Sequence, residues 1–283
     1  MLRVLTNPNN KAAFVVSWAC FVIAILLYVR TAHIRHIENA EDRIVPTISQ
    51  LVQGSLHTAL TPAEEDDESV LGDNPSLWAR LHSSMLWKDT TASGRRFLVS
   101  LALMFPAVLI GLHMGAFPWV SKVLNRSVLF LDKIVALSVL PILFIAFGVG
   151  EFAKIMLIVI GVAPTIILDT CNLTKSVPLE QVVRGFTLGA RDTSIVYRVI
   201  LPQIWPRILN TIRLNLKAIV LFLFAGEMIA SQDGLAYRIA LMQRHMGMDV
   251  IIPYVLWTAL LLFLADQVIR LAIRFTNPWF REL

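Results

Sequence analysis

The chain has 283 residues, of which 56% are hydrophobic and only 16% carry a charge. A soluble domain has about 25% charged residues, so this composition excludes an ordinary soluble protein and predicts an integral membrane protein surrounded by lipid. The net charge of +5 is typical of basic cytoplasmic loops in such proteins. The sequence has no basic patch interleaved with aromatic residues, and we therefore expect no nucleic-acid partner.

Six apolar segments are each long enough to cross a bilayer, which takes roughly 20 residues of helix. Lipid offers the backbone polar groups no water to bond, so we expect an all-α integral membrane protein with six transmembrane helices. The two cysteines, Cys20 and Cys171, predict no structural disulfide. In chain order, the predicted spans are residues 12–29, 97–115, 128–147, 152–168, 208–230 and 250–273.

Basic residues divide the connecting segments into two sides. The loop between the fourth and fifth spans, residues 169–207, carries five Lys or Arg residues, and the tail after the sixth span carries two more. The positive-inside rule places these segments and both termini in the cytoplasm. Arg95 and Arg96 fall on the opposite side and break the rule locally, and we interpret them as interfacial residues whose side chains snorkel.

The spans divide the chain into three parts. Residues 1–30 hold the cytoplasmic N-terminus and the first span, residues 31–94 form an external loop, and residues 95–283 form a core with spans two to six. Trp78 and Trp87 predict an interfacial segment in the external loop, just before the second span.

The cytoplasmic loop, residues 170–206, is predicted to contain two short helices. In residues 178–189, apolar residues recur at i, i+3, i+4 and i+7, which is one stripe of an amphipathic helix. Ser176 is a suitable N-cap for this helix. Gly189 follows the stripe, where helices often end in the left-handed conformation that glycine adopts without a Cβ clash.

The second short helix is predicted at residues 194–201. Asp192 or Thr193 is expected to cap its start, and Pro202 is expected to interrupt it. Periodicity alone leaves open whether the two helices pack on their own bundle or dock onto a cytoplasmic partner.

The residues of this loop resemble the permease subunits of ATP-binding-cassette importers. That family has a cytoplasmic signature of Glu-Ala-Ala, three residues, Gly, nine residues and Ile-x-Leu-Pro. Here Gly189 is followed by nine residues and then by Val-Ile-Leu-Pro at 199–202. Val183, Arg184 and Gly185 stand at the Glu-Ala-Ala positions, so the acidic residue of the signature is missing.

Further stretches are similar to the nitrate/sulfonate/taurine branch of these permeases. They include PILFIAFGVGEFAKIMLIVIGVAPTII at 141–167, FAGEMIASQDGLAYRI at 224–239 and LADQVIRLAIR at 264–274. The signature also lies on the predicted cytoplasmic side between spans four and five, which is the context that this motif requires.

The resemblance implies that the two short helices are coupling helices docked onto a cytoplasmic dimer of ATP-binding subunits. The implied docking residues are Val183, Arg184, Gly185, Phe186, Gly189, Ala190, Arg191, Leu201 and Pro202. ATP and Mg²⁺ would bind that partner, because this sequence has no G-x4-GK[S/T] phosphate loop and is expected to bind no cofactor itself. The resemblance also implies a second permease copy, most simply in a homodimer, an external substrate-binding protein, and a multi-pass location in the bacterial inner membrane.

Four polar residues of the fifth span are candidates for the translocation pathway, because ionisable residues in a span usually face the bundle or a watery cavity. They are Asn210, Arg213, Lys217 and Glu227. For Arg213 and Lys217 we favour the alternative that their side chains snorkel to the cytoplasmic interface. For Glu227, pathway lining and snorkelling to the external interface both stay open.

Two local ion pairs are also predicted. Asp266 and Arg270 stand at i and i+4 on the sixth span, and Asp132 is adjacent to Lys133 near the start of the third. No cluster of residues has the spacing of a metal site, and no nucleophile stands beside a base. We therefore expect a transport subunit without enzymatic activity.

The predicted function is import of a small nitrogen- or sulfur-containing solute, such as nitrate, a sulfonate or taurine. The alternatives are a urea- or guanidine-like solute, or an ATP-independent channel or secondary transporter. The lack of an internal repeat disfavours the last of these.

Overall fold

The computed structural model describes residues 10–38, 45–60 and 82–277, which are helical apart from short connecting segments. Eleven α-helices lie in these ranges, and a π-helical segment, Val196–Ile200, joins the eighth to the ninth. They are α1 (Asn10–Glu38), α2 (Ile48–Leu60), α3 (Met85–Ala116), α4 (Pro118–Asp132), α5 (Ala136–Phe147), α6 (Glu151–Lys175), α7 (Leu179–Thr187), α8 (Asp192–Ile195), α9 (Leu201–Ala230), α10 (Leu235–Arg244) and α11 (Met248–Thr276).

Four helical stretches among the described residues are long and apolar enough to cross a membrane. They are Met85–Ala116, Glu151–Lys175, Asp192–Ala230 and Met248–Thr276, and a fifth is obtained if the bent pair α4 and α5 is one span. The all-helical membrane fold is therefore confirmed. The count of six spans stays a prediction, with the first predicted span lying inside α1.

The second predicted span lies inside a longer helix. Residues 97–115 lie within α3, which starts at Met85. The hydroxyl oxygen of Ser84 accepts a hydrogen bond from the backbone N–H of Trp87 and caps the helix. One polar face of the first turns, with Asp89, Ser93 and Arg96, is buried and bonded to other helices, so the helix continues across the predicted boundary between residues 94 and 95. Trp87 lies in the first turn of α3, whereas Trp78 lies outside the described residues.

The third predicted span, residues 128–147, is not one continuous helix. α4 and α5 meet at a 95° bend. The N–H groups of Lys133 and Ile134 bond the carbonyls three residues earlier, at Phe130 and Leu131, so the last turn of α4 tightens and ends. The β-branched Ile134 and Val135 follow, and α5 begins at Ala136.

The core forms where α3 and α6 approach closely. A Cβ atom added at Gly111 would stand 2.6 Å from the carbonyl oxygen of Ile167, and one at Gly115 would stand 2.4 Å from Cβ of Thr174. Small residues four apart allow two membrane helices to come together in this way. The contact buries the fully enclosed side chains of Met104, Leu112, Ile158 and Ile166.

α9 runs antiparallel to α6 on another side. Gly226 lies beside Lys154, and Gly161 lies beside the ring of Phe222. α5 packs in a second apolar cluster against α6, and Phe222 also contacts this cluster. α6 therefore stands at the centre of the described bundle, with Glu151 at one end and Lys175 at the other.

Candidate coupling surface and buried charge network

The loop between α6 and α9 contains the turn that the sequence predicts. Gly189 has a φ of +81°, in the left-handed region. Its N–H bonds the carbonyl of Phe186 at 2.9 Å, and the N–H of Ala190 bonds the carbonyl of Gly185 at 3.1 Å. These two hydrogen bonds are the Schellman pattern that ends a helix at a glycine. The predicted elbow is confirmed as a defined turn between α7 and α8.

The ends of the two short helices differ from the predicted ones. Pro178 precedes α7, and Ser176 instead caps the C-terminus of α6, so the prediction of Ser176 as an N-cap is wrong. Arg191 occupies the N-cap position of α8 without a side-chain cap, and Asp192 lies in the first turn. Both starts are therefore uncapped by side chains.

The sequence predicts that Pro202 interrupts the second short helix, and this prediction is wrong. The chain continues from α8 through Val196–Ile200 into α9, and Pro202 lies in the first turn of α9. Proline lacks an N–H and clashes with the carbonyl four residues earlier. The π-helical segment relieves this, because the N–H of Leu201 bonds the carbonyl of Val196, five residues back.

The apolar stripe of α7 is largely uncovered. Leu179 is 73% exposed and Leu188, just after the helix, is 87% exposed; Val183 and Phe186 are about half exposed. Val182 alone of the stripe packs on the core. The described helices therefore do not cover this face, contrary to the interpretation that the loop packs on its own bundle.

The predicted docking residues divide into exposed and inward-packed groups. Gly185 faces inward, with its Cβ position 3.3 Å from Ile195 of α8, so a small residue lets α7 lie against α8. Ala190 and Leu201 are half-buried. The exposed members are Val183, Arg184, Phe186, Gly189, Arg191 and Pro202.

A buried charge network lies at the other end of α6. Arg96 of α3 is 4% exposed and makes five hydrogen bonds, which use all five guanidinium donors. Its partners are the carboxylates of Glu151, Glu227 and Asp233 and the carbonyl of Asp233. Lys154 extends the network to Glu151 at 2.9 Å and to the hydroxyl of Ser231 at 2.7 Å.

Glu227 of α9 has 0% exposure. Its carboxylate accepts hydrogen bonds from the Ser93 hydroxyl at 2.7 Å, from Arg96 at 2.9 Å and from the backbone N–H of Ala236 at 3.1 Å. Ala236 belongs to the first turn of α10, where N–H groups lack helical partners and a negative charge is favoured. Glu227 therefore does not snorkel to the external interface.

Asp89 extends the network to α10 and α11. It accepts hydrogen bonds from the N–H of Gly234 at 3.1 Å, from Nε of Arg238 at 2.9 Å and from the Tyr254 hydroxyl at 3.0 Å. Burial by itself lowers the pKa of Arg238, but the hydrogen bond and the charge of Asp89 outweigh it and raise that pKa above its ordinary value. Arg238 therefore stays cationic.

The interpretation of Arg96 as a snorkelling residue is wrong, because its side chain points into the protein. Asp89 and Ser93 were not named from the sequence at all. A signal was present, since Asp89, Ser93 and Arg96 stand at i, i+4 and i+7 and form one polar face of a helix. Arg95, by contrast, is exposed.

The remaining pathway candidates have different surroundings. Arg213 is largely buried and lies 3.6 Å from Asp266 of α11, so it does not snorkel. Asn210 has a buried side-chain oxygen with no hydrogen-bond partner in the described part of the chain. Lys217 is exposed. The predicted pair Asp266–Arg270 is confirmed at 3.1 Å, and pathway lining itself stays a prediction.

Known proteins share this architecture. A family model for the "Binding-protein-dependent transport system inner membrane component" matches residues 107–282. The taurine transport system permease protein TauC of Escherichia coli (strain K12) is 30% identical over 202 residues, which is 70% of this chain and 72% of that protein. The putative aliphatic sulfonates transport permease protein SsuC of the same organism is 26% identical over 227 residues, which is 80% of this chain and 84% of that protein.

A solved structure shows the same fold. An inward-facing conformation of the MetNI methionine ABC transporter matches with a TM-score of 0.60 at 18% identity, over 68% of this chain and 96% of that chain. The family match covers more than half of the sequence. The chain thus belongs to the inner-membrane permease components of binding-protein-dependent ATP-binding-cassette transport systems.

Proposed function

We propose that this chain is the transmembrane subunit of an ATP-driven importer that moves taurine or a related small sulfonate into the cytoplasm by alternating access. The observation that carries the proposal is the uncovered apolar face of α7, held by the Schellman turn at Gly189. A folded protein rarely leaves such side chains in water unless a partner covers them. The partner we propose is a cytoplasmic ATP-binding subunit, present as a dimer.

Docking would rest on apolar contact rather than on an acidic residue. Val183 stands where the family signature has glutamate, and it is half exposed beside Phe186. Burial of apolar area contributes about 25 cal/mol per Å², so a few such side chains can anchor the interface. Arg184 and Arg191 are also exposed and can pair with carboxylates of the partner.

The continuity of α8 with α9 supports a mechanical role for the docking surface. From Asp192 to Ala230 the chain is one helical stretch of 39 residues, so the docked turn leads directly into the helix that carries the pathway candidates. ATP-driven closure of the partner dimer would shift the docked end, and α9 would transmit this shift into the membrane. ATP and Mg²⁺ would remain on the partner.

The similarity to TauC and SsuC supports a sulfonate-type solute. A urea- or guanidine-like solute remains the alternative, and an external substrate-binding protein would deliver either one. A second copy of this chain would complete the pathway, in a homodimer within the bacterial inner membrane.

The test is reconstitution of the chain in liposomes with an ATP-binding subunit and a binding protein from the same genome. We expect uptake of radiolabelled taurine or ethanesulfonate that requires ATP and both partners. Radiolabelled urea and guanidine, tested in parallel, decide the solute class. Uptake that proceeds equally well without the ATP-binding subunit would show an ATP-independent transporter and refute the proposal.

A further inference from the structure

Lys217 is exposed at the middle of a membrane-spanning helix. The predicted fifth span runs from Ile208 to Ala230. Lys217 lies nine residues after its start and thirteen before its end, which is about 14 Å and 20 Å of helix. Its side chain has no hydrogen-bond or ion-pair partner among the residues that the structure describes. Arg213, one turn earlier, is instead paired with Asp266. Arg213 and Lys217 therefore have different environments.

A second exposed cation lies at the bend between α4 and α5. Lys133 is 78% exposed, and its Nζ atom contacts Oδ2 of Asp132 at 3.0 Å. The other carboxylate oxygen of Asp132 accepts a hydrogen bond from Thr165 of α6 at 2.9 Å. Thr165 lies fourteen residues after Glu151, or about 21 Å along the helix, so the bend lies within the membrane-spanning part of α6.

The two lysines lie at a similar depth. Gly161 of α6 touches the ring of Phe222 of α9, and the two helices are antiparallel. Thr165, which fixes Lys133 through Asp132, stands about one turn beyond Gly161. On the antiparallel α9, Lys217 stands about one turn before Phe222, which places it on the same side of this contact as Thr165. Both cations therefore lie on the cytoplasmic side of this contact, at about the same level.

An exposed lysine and a break in a helix are both unfavourable in lipid. A charged side chain at the bilayer centre is costly, and such residues almost always face the bundle interior or a water-filled cavity. Non-helical backbone at membrane depth is likewise tolerated only inside protein or along a watery cavity. An exposed lysine and a broken helix at one depth therefore indicate that this face meets protein or water, and not lipid, in the assembled transporter.

We propose that Lys217 and Lys133 line the solute pathway and form a cationic step that attracts the anionic group of the passing solute. This inference rests on the proposed importer function and assigns part of its charge selectivity to these two residues. Asp132 is a positioning residue, because Thr165 holds it and it holds Lys133. Its charge also weakens the hold of Lys133 on an anion, and a transport site must bind weakly enough to release.

The test measures water and electric potential at Leu221, which is exposed one turn beyond Lys217 on the same face. A Leu221→Cys variant, with Cys20 and Cys171 changed to Ser, is assembled with the ATP-binding subunit in nanodiscs. It is treated with an anionic sulfonatoethyl and a cationic trimethylammonioethyl methanethiosulfonate. Leu264→Cys on α11, a helix with little buried surface, gives the comparison rate of an exposed apolar position on another helix.

We expect Leu221→Cys to react with both reagents well above the rate of Leu264→Cys. Lys217→Gln should lower the ratio of the anionic to the cationic rate about tenfold, because one reagent loses an attraction and the other a repulsion. Lys133→Gln should lower the ratio in the same direction. Reaction no faster than at Leu264→Cys, or a ratio unchanged in both glutamine variants, would overturn the inference.

The labelling experiment is independent of uptake by the wild-type protein. Loss of the ATP requirement would refute the proposed function while leaving the labelling ratios interpretable. ATP-dependent uptake with unchanged ratios would refute only the cationic step. Lys217→Gln should also lower taurine uptake while leaving co-purification with the ATP-binding subunit unchanged, which separates a pathway residue from a docking residue.

Discussion

The two ends of α6 differ in what they bury. At the Glu151 end, charged side chains such as Arg96 and Glu227 are enclosed in the protein and fully bonded. At the Lys175 end, the apolar side chains of Leu179 and Leu188 are exposed to solvent. Buried charges and exposed apolar side chains both cost free energy. The charges are offset by ion pairs within the chain, whereas the described helices leave the apolar side chains uncovered. The first end is therefore complete, whereas the second is the end at which we propose that another protein docks.

A glycine with positive φ marks each end, and the two glycines have different surroundings. Gly234, with φ +119°, would place a Cβ atom 2.7 Å from the carboxylate of Glu227 and 2.8 Å from Arg96. Gly189, with φ +81°, has no atom within 4 Å of its Cβ position. Conformation restricts both positions to glycine, but only Gly234 is also enclosed. Substitutions at the two ends should therefore separate folding from docking.

The largest effect is expected for Arg96→Leu. Removing one partner of a buried ion pair leaves an uncompensated charge and costs about 3–5 kcal/mol of stability, and here three carboxylates lose their common partner. We expect little folded protein, with aggregation on size-exclusion chromatography in detergent and a strongly lowered unfolding temperature.

Arg95→Leu is the matched control, since it makes the same change at the adjacent, exposed residue. It should leave the elution profile and the unfolding temperature nearly unchanged. Equal behaviour of the two variants would contradict the assignment of Arg96 as the centre of the network.

A smaller but clear loss of stability is expected for Gly234→Ala. The added methyl group would overlap Glu227 and require a strained backbone, and overpacking of this kind typically costs about 1–3 kcal/mol. Gly94→Ala, which has no atom within 4 Å of the new Cβ, is the control and should be neutral. The unfolding temperature in detergent measures both. A neutral Gly234→Ala would mean that the turn after α9 is looser than the network indicates.

The parts of the fold that depend on local sequence were predictable, and the parts that depend on distant partners were not. The turn at Gly189 follows from an apolar stripe and one glycine in adjacent positions. The network joins Arg96 to Glu227, 131 residues away, and sequence cannot show which of several charged residues meet. Arg96 was consequently assigned by the positive-inside rule, which describes loops, although α3 already begins eleven residues earlier.

At the Lys175 end of α6, Gly189→Val should affect assembly rather than folding. A β-branched residue is strained in the left-handed region by roughly 1–2 kcal/mol, but the space around the position is open, so the turn can shift. We expect normal membrane insertion, a small change in unfolding temperature and a severalfold loss of co-purified ATP-binding subunit. ATP-dependent uptake should fall in parallel.

Gly150→Val is a useful comparison at the opposite end of α6, because that glycine has an extended backbone and open space. It should leave co-purification unchanged. Unaltered assembly and uptake in Gly189→Val would remove the case for docking at this turn.

The smallest and most specific effect is expected for Val183→Glu, which restores the acidic residue of the family signature. Position 183 is about half exposed, and exposed substitutions usually change stability by less than about 0.5 kcal/mol, so the fold should be unaffected. If docking rests on apolar contact, the new carboxylate must be desolvated against an apolar partner surface, and co-purification should fall a fewfold. Gln181→Glu adds the same charge on an exposed residue off the stripe and should have no effect. Tighter binding in Val183→Glu would instead show that the partner keeps a cationic site for the missing glutamate.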